Sequence, residues 1–520
     1  INASATLDET RSNYVYNPYY GQFRSTGGTV QVGHNRTYAW NSQQLLNYSR
    51  TFGDHNVGVL LGHEYYNNRY YIVSGSKSQM FSQENKDLDG AVVDGQSAYS
   101  YQTQYNNEGY FARAQYDYKE RYFVSGSFRR DASSRFHTSN RWGNFWSAGA
   151  AWIVSKEDWF NASWMNELKV KASIGSQGND SIGNYRYTDL YSISNNEGQI
   201  AIAFGSKGNK EISWETNTNM NAGVDFDFFK GRLSGTIEYF YRKTSDMLFW
   251  FTVPASLGYS GYYDNIGDMR NAGVELALNG VLFNKKNFYW DVNVNATHYT
   301  NKITMLPAER KTRNIEGYEG YASGNKFIGE GLSLNTFLMP KYAGVDKTNG
   351  LPMWYKDVYQ LDEDGNQVLD ADGNPIVTGR ETTTSYSDAT EYLCDNPTPL
   401  LYGGFGTSLR FYGFDVAAQF TYSIGGLTYD SGYASLVGAP SQPGSNVHVD
   451  VLNAWSETNK DSDMPRYQYL DENINATSDR FLVDASYLNI QNVQVGYTLP
   501  QRLTMKMKIS RIRVFASCDS

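Results

Sequence analysis

Residues able to do covalent or metal chemistry are sparse in this 520-residue chain and do not converge. The six histidines, His34, His55, His63, His137, His298 and His448, are scattered, and although His55 and His63 bracket one segment, no pair has a clear ligand spacing. No G-x-S-x-G elbow, H-E-x-x-H pair, phosphate-cradling glycine loop or zinc spacing occurs. A Ser/His/acid set cannot be assembled from spacing alone. Cys394 and Cys518 lie far apart, which predicts two incidental thiols and no disulfide framework. The expectation is a protein without catalytic residues, without a metal or other cofactor, and therefore not an enzyme.

Three stretches offer binding chemistry instead. In "LDEDGNQVLDADGNPI", Asp362, Asp364 and Asn366 have calcium-loop spacing. The glycine that such a loop needs at its sixth position stands at the fourth, as Gly365, and no Glu follows at the twelfth. Two Asp/Gly/Asn turns in a long loop are the better reading, with calcium the lesser alternative. "RRDASSRF" carries Arg129, Arg130, Asp131 and Arg135 where a strand ends. These make either a patch contacting ligand or a plug, or a locally ion-paired strand end, and the second is the commoner arrangement. "LPMWY" is read as exposing Trp354 and Tyr355, which either stack on the C–H faces of sugar rings or belong to a membrane-interface girdle. Arg129, Arg135, Trp354 and Tyr355 are the candidate substrate contacts.

The elements that must carry these residues are strands. In "NMNAGVDFDFFKGRLSGTIEYFYRKT", Met220, Ala222, Val224, Phe226 and Phe228 alternate with Asn221, Asp225 and Asp227. Beyond the turn, Leu233, Ile237, Tyr239 and Tyr241 alternate with Ser234, Thr236 and Glu238. Period-two alternation on both sides of a turn is a β-hairpin. The same design recurs in "EGYFARAQYDYKERYFVSGSFRRD", "NAGVELALNGVLFNKKNFYWDVNVNATHYT" and "YGGFGTSLRFYGFDVAAQFTYSIGG". It recurs again in "YLNIQNVQVGYTLP" with "SRIRVFAS", where the alternation slips at Gln491 and Asn492 and predicts a bulge. A further pair is expected around "TFLMPKYAGVD" and "GLPMWYKD", giving roughly sixteen strands in about eight hairpins by this periodicity.

Connections alternate between short turns ("YKER", "FKGR", "NKKN", "FYGF") and long polar stretches near 65–108, 175–215, 244–270, 300–332, 357–400 and 424–485. Hydrophobic residues are 40%, charged residues 19%, and the 43 tyrosines dominate the aromatics. Mean hydropathy is −0.57, and no apolar run is long enough for a transmembrane helix. A net charge of −9 without a basic stripe argues against a nucleic-acid partner. Long strands, lopsided connections and strand-end aromatics predict an all-β fold, a large antiparallel transmembrane β-barrel with short periplasmic turns and long extracellular loops. Its apolar face would meet outer-membrane lipid, and the sheet must close, because an open sheet leaves unpaired edge groups in hydrocarbon. Asp225, Asp227, Glu238, Asp291 and Asn293 would face the lumen. A soluble β-sandwich or propeller is the alternative fold.

These segments, in order and spacing, resemble the barrel of SusC-like TonB-dependent outer-membrane transporters. "NRWGNFWSAGAAWIVSKEDWF", "LKVKASIGSQGND" and "NIGDMRNAGVELALNG" carry the likeness together with the hairpins above. The resemblance implies a barrel of about 22 strands filled by an N-terminal plug, in a Gram-negative outer membrane. It implies TonB-driven import of oligosaccharides, or in some members peptides, beneath a SusD-like lipoprotein lid. On this reading residues 1–520 are a partial barrel domain, with the plug, the TonB-contacting region and the last strands outside the chain. A passive porin and a non-transporting surface glycan-binding β protein are the other functional readings.

Overall fold

The computed structural model describes residues 1–519 except 371–373, 440–443, 470 and 472. Fifteen strands form one antiparallel sheet, the wall, in which each strand neighbours the next wall strand of the sequence. They are β1 (Asn2–Tyr16), β2 (Thr29–Phe52), β3 (His55–Met80), β4 (Ala91–Tyr118) and β5 (Tyr122–Ser133). Next come β6 (Trp142–Ile153), β7 (Met165–Asn179), β8 (Glu215–Phe228), β9 (Leu233–Ser245) and β10 (Asp268–Lys285). The series ends with β11 (Phe288–Met305), β12 (Leu401–Phe411), β13 (Phe414–Ile424), β14 (Tyr487–Thr498) and β15 (Arg513–Asp519). The chain divides into two compact units, one of residues 1–152, 172–219 and 244–266, the other of 153–171, 220–243 and 267–520.

In the first unit the alternation of the sequence becomes two faces. Leu46, Leu61, Ala112, Phe128 and Trp146 stand directly opposite one another across β2–β6. The large members of this row are open: Leu46 is 66% exposed and Phe128 49%. Stacked aromatics bracket the row. Toward the short turns lie Tyr118, Tyr122 and Trp152, with ring centroids 6.4 and 6.3 Å apart. Toward the long connections lie Tyr110 and Trp142 at 6.3 Å, with Arg130 5.0 Å over Trp142. Between the girdles run eight residue-to-residue steps from Tyr110 to Tyr118 and ten from Trp142 to Trp152. At ~3.4 Å per residue this is about 27–34 Å of strand, which a 35–45° tilt brings close to the ~25 Å apolar band of an outer-membrane barrel.

Strands β2, β3 and β4 run for 24, 26 and 28 residues, well past this band. The stretch 65–108 is therefore mostly strand, joined by residues 81–90, and not the long loop its polar composition predicts. With no apolar band to face, its side chains lose the two-residue hydrophobic period. The ladder persists through backbone pairing and cross-strand aromatics such as Trp40–Tyr65 and Tyr66–Tyr105. For the same reason β1, rich in Thr, Ser and Asn, is invisible to periodicity. Gly62 leaves room for the Phe111 ring, since a Cβ there would lie 2.2 Å from it.

The second unit repeats the wall, with two-residue turns at 286–287 and 412–413. Tyr412 and Gly413 both have positive φ, 46° and 93°, as a two-residue type I′ turn requires. The expected bulge is present: Gln419 pairs with Asn492 and Phe420 with Ile490, leaving Gln491 as the extra residue.

Two long insertions belong to this unit. Within 306–400, strands Arg313–Ile315, Tyr318–Ser323, Lys326–Gly329, Phe337–Pro340 and Glu391–Cys394 form a five-stranded sheet. Strands Tyr342–Val345, Pro352–Tyr359 and Val377–Thr383 form a three-stranded one. The segments "TFLMPKYAGVD" and "GLPMWYKD" thus do form strands, but in these small sheets, so the wall has fifteen strands where about sixteen were expected. Phe327, Leu338, Met339 and Trp354 are buried in this insertion. In 425–486, helix α1 (Ser431–Val437) packs Ala434 and Val437 on Met464 and Phe481. The first unit has small hairpins of its own, Leu190–Asn196 with Gln199–Ser206 and Leu248–Thr252 with Gly261–Asn265, and a core of Phe136, Ile182 and Ile212. The connections expected as structureless thus contain sheets.

Candidate functional site

Polar alternates of the wall form linked pairs. Lys171 Nζ reaches Asp225 at 2.9 Å and Glu238 at 3.3 Å, and Thr236 Oγ1 donates to Asp225 at 2.8 Å. Asp225 and Glu238 thereby share one face of β8–β9 with a lysine from β7. Asp227 sits at the turn instead, accepting from Asn166 Nδ2 at 2.8 Å and from the Gly231 N–H at 2.9 Å. Asp291 lies opposite Val281 and Ser408, and Asn293 opposite Asn279 and Gly406. None of these arrangements activates a nucleophile. They hold fixed, hydrated charge along a surface.

The candidate arginines of the first unit are each held in a local network. Arg129 Nε donates to both Asp131 oxygens at 2.7 and 2.8 Å, and Nη2 to Glu64 at 3.0 Å. Its guanidinium lies 5.1 Å over the Phe111 ring, and Glu64 also accepts from Asn41 and Gln43 at 3.0 Å each. Arg135 Nη1 donates to the Asp180 carbonyl at 3.0 Å and carboxylate at 3.3 Å, with its guanidinium 4.3 Å over Tyr105. Tyr105 and Ser133 complete the Asp180 shell at 2.8 and 2.6 Å. Asp180 is 45 residues from Arg135, so no local motif announces the pair.

Trp354 is not exposed. It leaves 1% of its surface accessible and packs edge-on against Tyr386 at 5.2 Å. Strand alternation explains the difference: Trp354 points inward with Pro352, whereas Tyr355 is half-buried and lies 5.8 Å from the Arg380 guanidinium. Trp354 is thus a core residue and is withdrawn as a sugar-stacking candidate.

Beside it is a groove of about 640 Å³ lined by Arg313, Lys356, Asp357, Tyr386, Asp388 and Glu391. Asp357, 9% exposed, stands opposite Arg380 in the three-stranded sheet. It accepts from Tyr392 Oη at 2.6 Å and Arg380 Nε at 3.1 Å. Arg380 also lies 4.6 Å over the Tyr392 ring. Burial, then the bond to the Asp357 carboxylate, push the Tyr392 phenol well above its usual range, so it stays a neutral donor. Sequence reasoning missed this trio; the alternation of "PMWYKDVY" and "VTGRETT" is the signal that could have paired two of its members.

The acidic turn holds itself. Asp362 Oδ1 accepts the N–H groups of Asp364 at 3.0 Å and Asn366 at 2.8 Å, and these backbone bonds, that of Asn366 first, hold its carboxyl below the ordinary range. Asp370 repeats the bond with Asn374 at 2.8 Å, while 371–373 of the second copy lie outside the described residues. Among the described residues no three His, Cys, Asp or Glu are grouped to hold a metal. The histidines are engaged singly, His34 with Glu9, His63 with Gln44 and Glu108, and His298 with the Leu400 carbonyl. Cys394 and Cys518 are free thiols.

Residues 1–355 match the family model described as TonB dependent receptor-like, beta-barrel. The chain is 27% identical over 519 residues to TonB-dependent receptor P3 of Formosa agariphila, covering 96% of this chain and 50% of that protein. It is 26% identical over 513 residues to TonB-dependent receptor SusC of Bacteroides thetaiotaomicron, covering 95% and 47%. The solved structure of the RagAB peptide importer in its closed-closed state aligns with a TM-score of 0.82 at 25% identity, over 99% of this chain and 55% of that one. The chain spans about half the length of the curated relatives it matches. A wall of nearest-neighbour antiparallel strands, an exposed apolar band between aromatic girdles and the family match agree: the chain belongs to the TonB-dependent receptor β-barrel family, as a SusC-like member.

Proposed function

We propose that the full-length protein is an active importer in the outer membrane of a Gram-negative bacterium. It moves an oligomeric nutrient through its barrel with energy delivered by TonB. The observation that carries this reading is the wall: an apolar row open on one face, charged pairs such as Lys171–Asp225–Glu238 on the polar alternates, and the length to cross a bilayer. Asp225, Asp227, Glu238, Asp291 and Asn293 line the hydrated passage and do no covalent chemistry. A plug and the TonB-contacting segment belong to the part of the protein beyond this chain. A SusD-like lipoprotein lid is part of the proposal, supported by the likeness to SusC.

Two substrate classes have separate support. An oligosaccharide follows from the SusC-like resemblance and from tyrosines Tyr71, Tyr99 and Tyr101, whose exposed rings suit sugar C–H faces. A peptide is supported by the likeness to the RagAB peptide importer and by the 640 Å³ groove, whose Arg313, Lys356, Asp388 and Glu391 offer both signs of charge to a zwitterionic chain. Uptake of labelled peptide and oligosaccharide libraries by cells expressing the full-length protein, with and without TonB, is the test. Uptake of one class that vanishes without TonB is expected. Uptake indifferent to TonB would replace this reading with a passive porin.

A further inference from the structure

The chain is acidic overall, at −9, and the 306–400 and 425–486 insertions carry about twice as many acidic as basic residues. One end of the second unit's wall reverses this balance. Around the turns 286–287 and 412–413 and the connection 499–512, a cleft of about 800 Å³ is lined by Lys285, Lys286, Arg410, Arg511 and Arg513. Its one acidic lining residue, Asp415, already accepts from both Nε and Nη2 of Arg513. Among the described residues Lys285, Lys286, Arg410 and Arg511 make no ion pair within 4.0 Å, and Asp415, whose charge Arg511 and Arg410 also feel, is taken up by Arg513.

Register gathers Asn284, Arg410 and Asp415 onto the polar face, while Lys285, opposite Phe288 on the other face, and Lys286 in the turn stand at the mouth of the cleft. Tyr289 is opposite Arg410, Arg410 opposite Asp415, and Asp415 opposite Gly496. Thr498, two residues further along β14, brings in Arg513. The Arg410 guanidinium is laid 4.4 Å over the Tyr289 ring, which fixes its position, while Asn284, Asn287 and Gln494 add neutral donors. Like charges confined to one cleft repel, and an anion placed among them removes that repulsion. Guanidinium forks suit planar or tetrahedral oxyanions, and the flanking ammonium groups suit more than one negative charge.

We propose that this cleft at the short-turn end binds a polyvalent oxyanion of the phosphate or carboxylate class. Arg410 and Arg511 are its principal ligands, and Lys285 and Lys286 are its electrostatic rim. The site is independent of what the protein transports.

The test is calorimetric titration of the full-length protein, in zwitterionic detergent at low salt, with inorganic pyrophosphate and separately with citrate. Saturable binding of at least one is expected, weakening as salt rises and at least tenfold weaker in the Arg410→Gln/Arg511→Gln variant. The Lys285→Gln/Lys286→Gln variant changes only exposed residues at the strand end and turn, so it guards against misfolding, and it should weaken binding several-fold. Failure of wild-type protein to bind either anion, or undiminished binding in both variants, overturns the site. A preference for pyrophosphate assigns phosphate, and a preference for citrate assigns carboxylate. Repeating the titration in phosphatidylglycerol and phosphatidylcholine nanodiscs separates the sources. Competition confined to the anionic discs identifies a lipid headgroup, and equal binding in both identifies a soluble anion.

Discussion

In the wall, Leu46 and Leu61 leave 66% and 47% of their surface open, whereas in the 306–400 insertion Leu338 and Trp354 leave 1% each. The residue types are alike and the solutions opposite. The insertion buries its apolar side chains against one another, as a soluble domain does. The wall has only backbone pairing and cross-strand contacts within itself, and its apolar row needs an apolar solvent to bury it. The two regions thus have separate sources of stability and should fail separately.

The largest effect is expected from Trp354→Ala, which removes the largest fully buried side chain among the described residues and should cost about 3–5 kcal/mol. Limited proteolysis should show the insertion opening while the heat-modifiable migration of the barrel is unchanged. Collapse of both would mean that they are one cooperative unit. Next, Val59→Arg, in the outward row Tyr48–Val59–Ala114–Gly126–Ala148, should destabilise the wall by roughly 2–4 kcal/mol in lipid. Gln115→Arg, one residue off that row, should change stability by less than about 1 kcal/mol. Urea unfolding from lipid vesicles measures both, and equal costs would contradict the assignment of faces.

A smaller effect sharpens the insertion's interior. Tyr392→Phe leaves the buried Asp357 without its hydroxyl donor and should cost about 1–2 kcal/mol, read as lost amide-exchange protection across 352–359 and 377–383. Cys394, whose thiol burial pushes up to about 11, is mostly protonated at pH 8, with roughly one thiolate per thousand. Its alkylation should be slow there, rise about tenfold per pH unit below that value, and accelerate when the insertion is unfolded. Fast labelling at pH 8 in the folded protein would show the site to be open. The smallest change is Asp362→Ala, which removes the exposed side-chain turn bonds and should loosen only that turn, read as faster amide exchange at Asp364 and Asn366. Added calcium should leave the wild-type melting temperature unmoved. A calcium-dependent rise lost in the variant would restore the ion-binding reading of that turn.

The sequence was legible where chemistry and geometry share a period. The hairpins around "FKGR", "NKKN" and "FYGF" show themselves because every second residue faces an apolar phase, and the slip at Gln491 shows where one residue drops out of the ladder. Strands β1 to β4 beyond the girdles were not legible, since Tyr, Asn and Ser on both faces erase the contrast that periodicity detects. The groove beside Trp354 was legible only in fragments. Asp357, Arg380 and Tyr392 come from three strands of two small sheets, and their pairing is a matter of register between distant segments. Arg129 and Arg135 were found as charges, but their partners Glu64 and Asp180 are 65 and 45 residues away.

The order of the wall bears on how the chain is assembled. Because every wall strand neighbours its predecessor, the sheet can grow by adding one hairpin at a time, and most of its long-range order is reached through short closures. Of the long connections, which include 425–486 between β13 and β14, the longest is the step from β11 to β12, which must close over about 95 residues. For a flexible chain this costs roughly 3–4 kcal/mol more than a two-residue turn. The insertion lessens that cost by folding on itself. Its beginning is pinned by Leu306 N–H to Glu330, and its end is drawn back to the nearby interior strand where Phe337 N–H meets the Asp395 carbonyl. The small sheets of 306–400 thus act as a staple: wherever they are formed, the gap left to close between β11 and β12 is short.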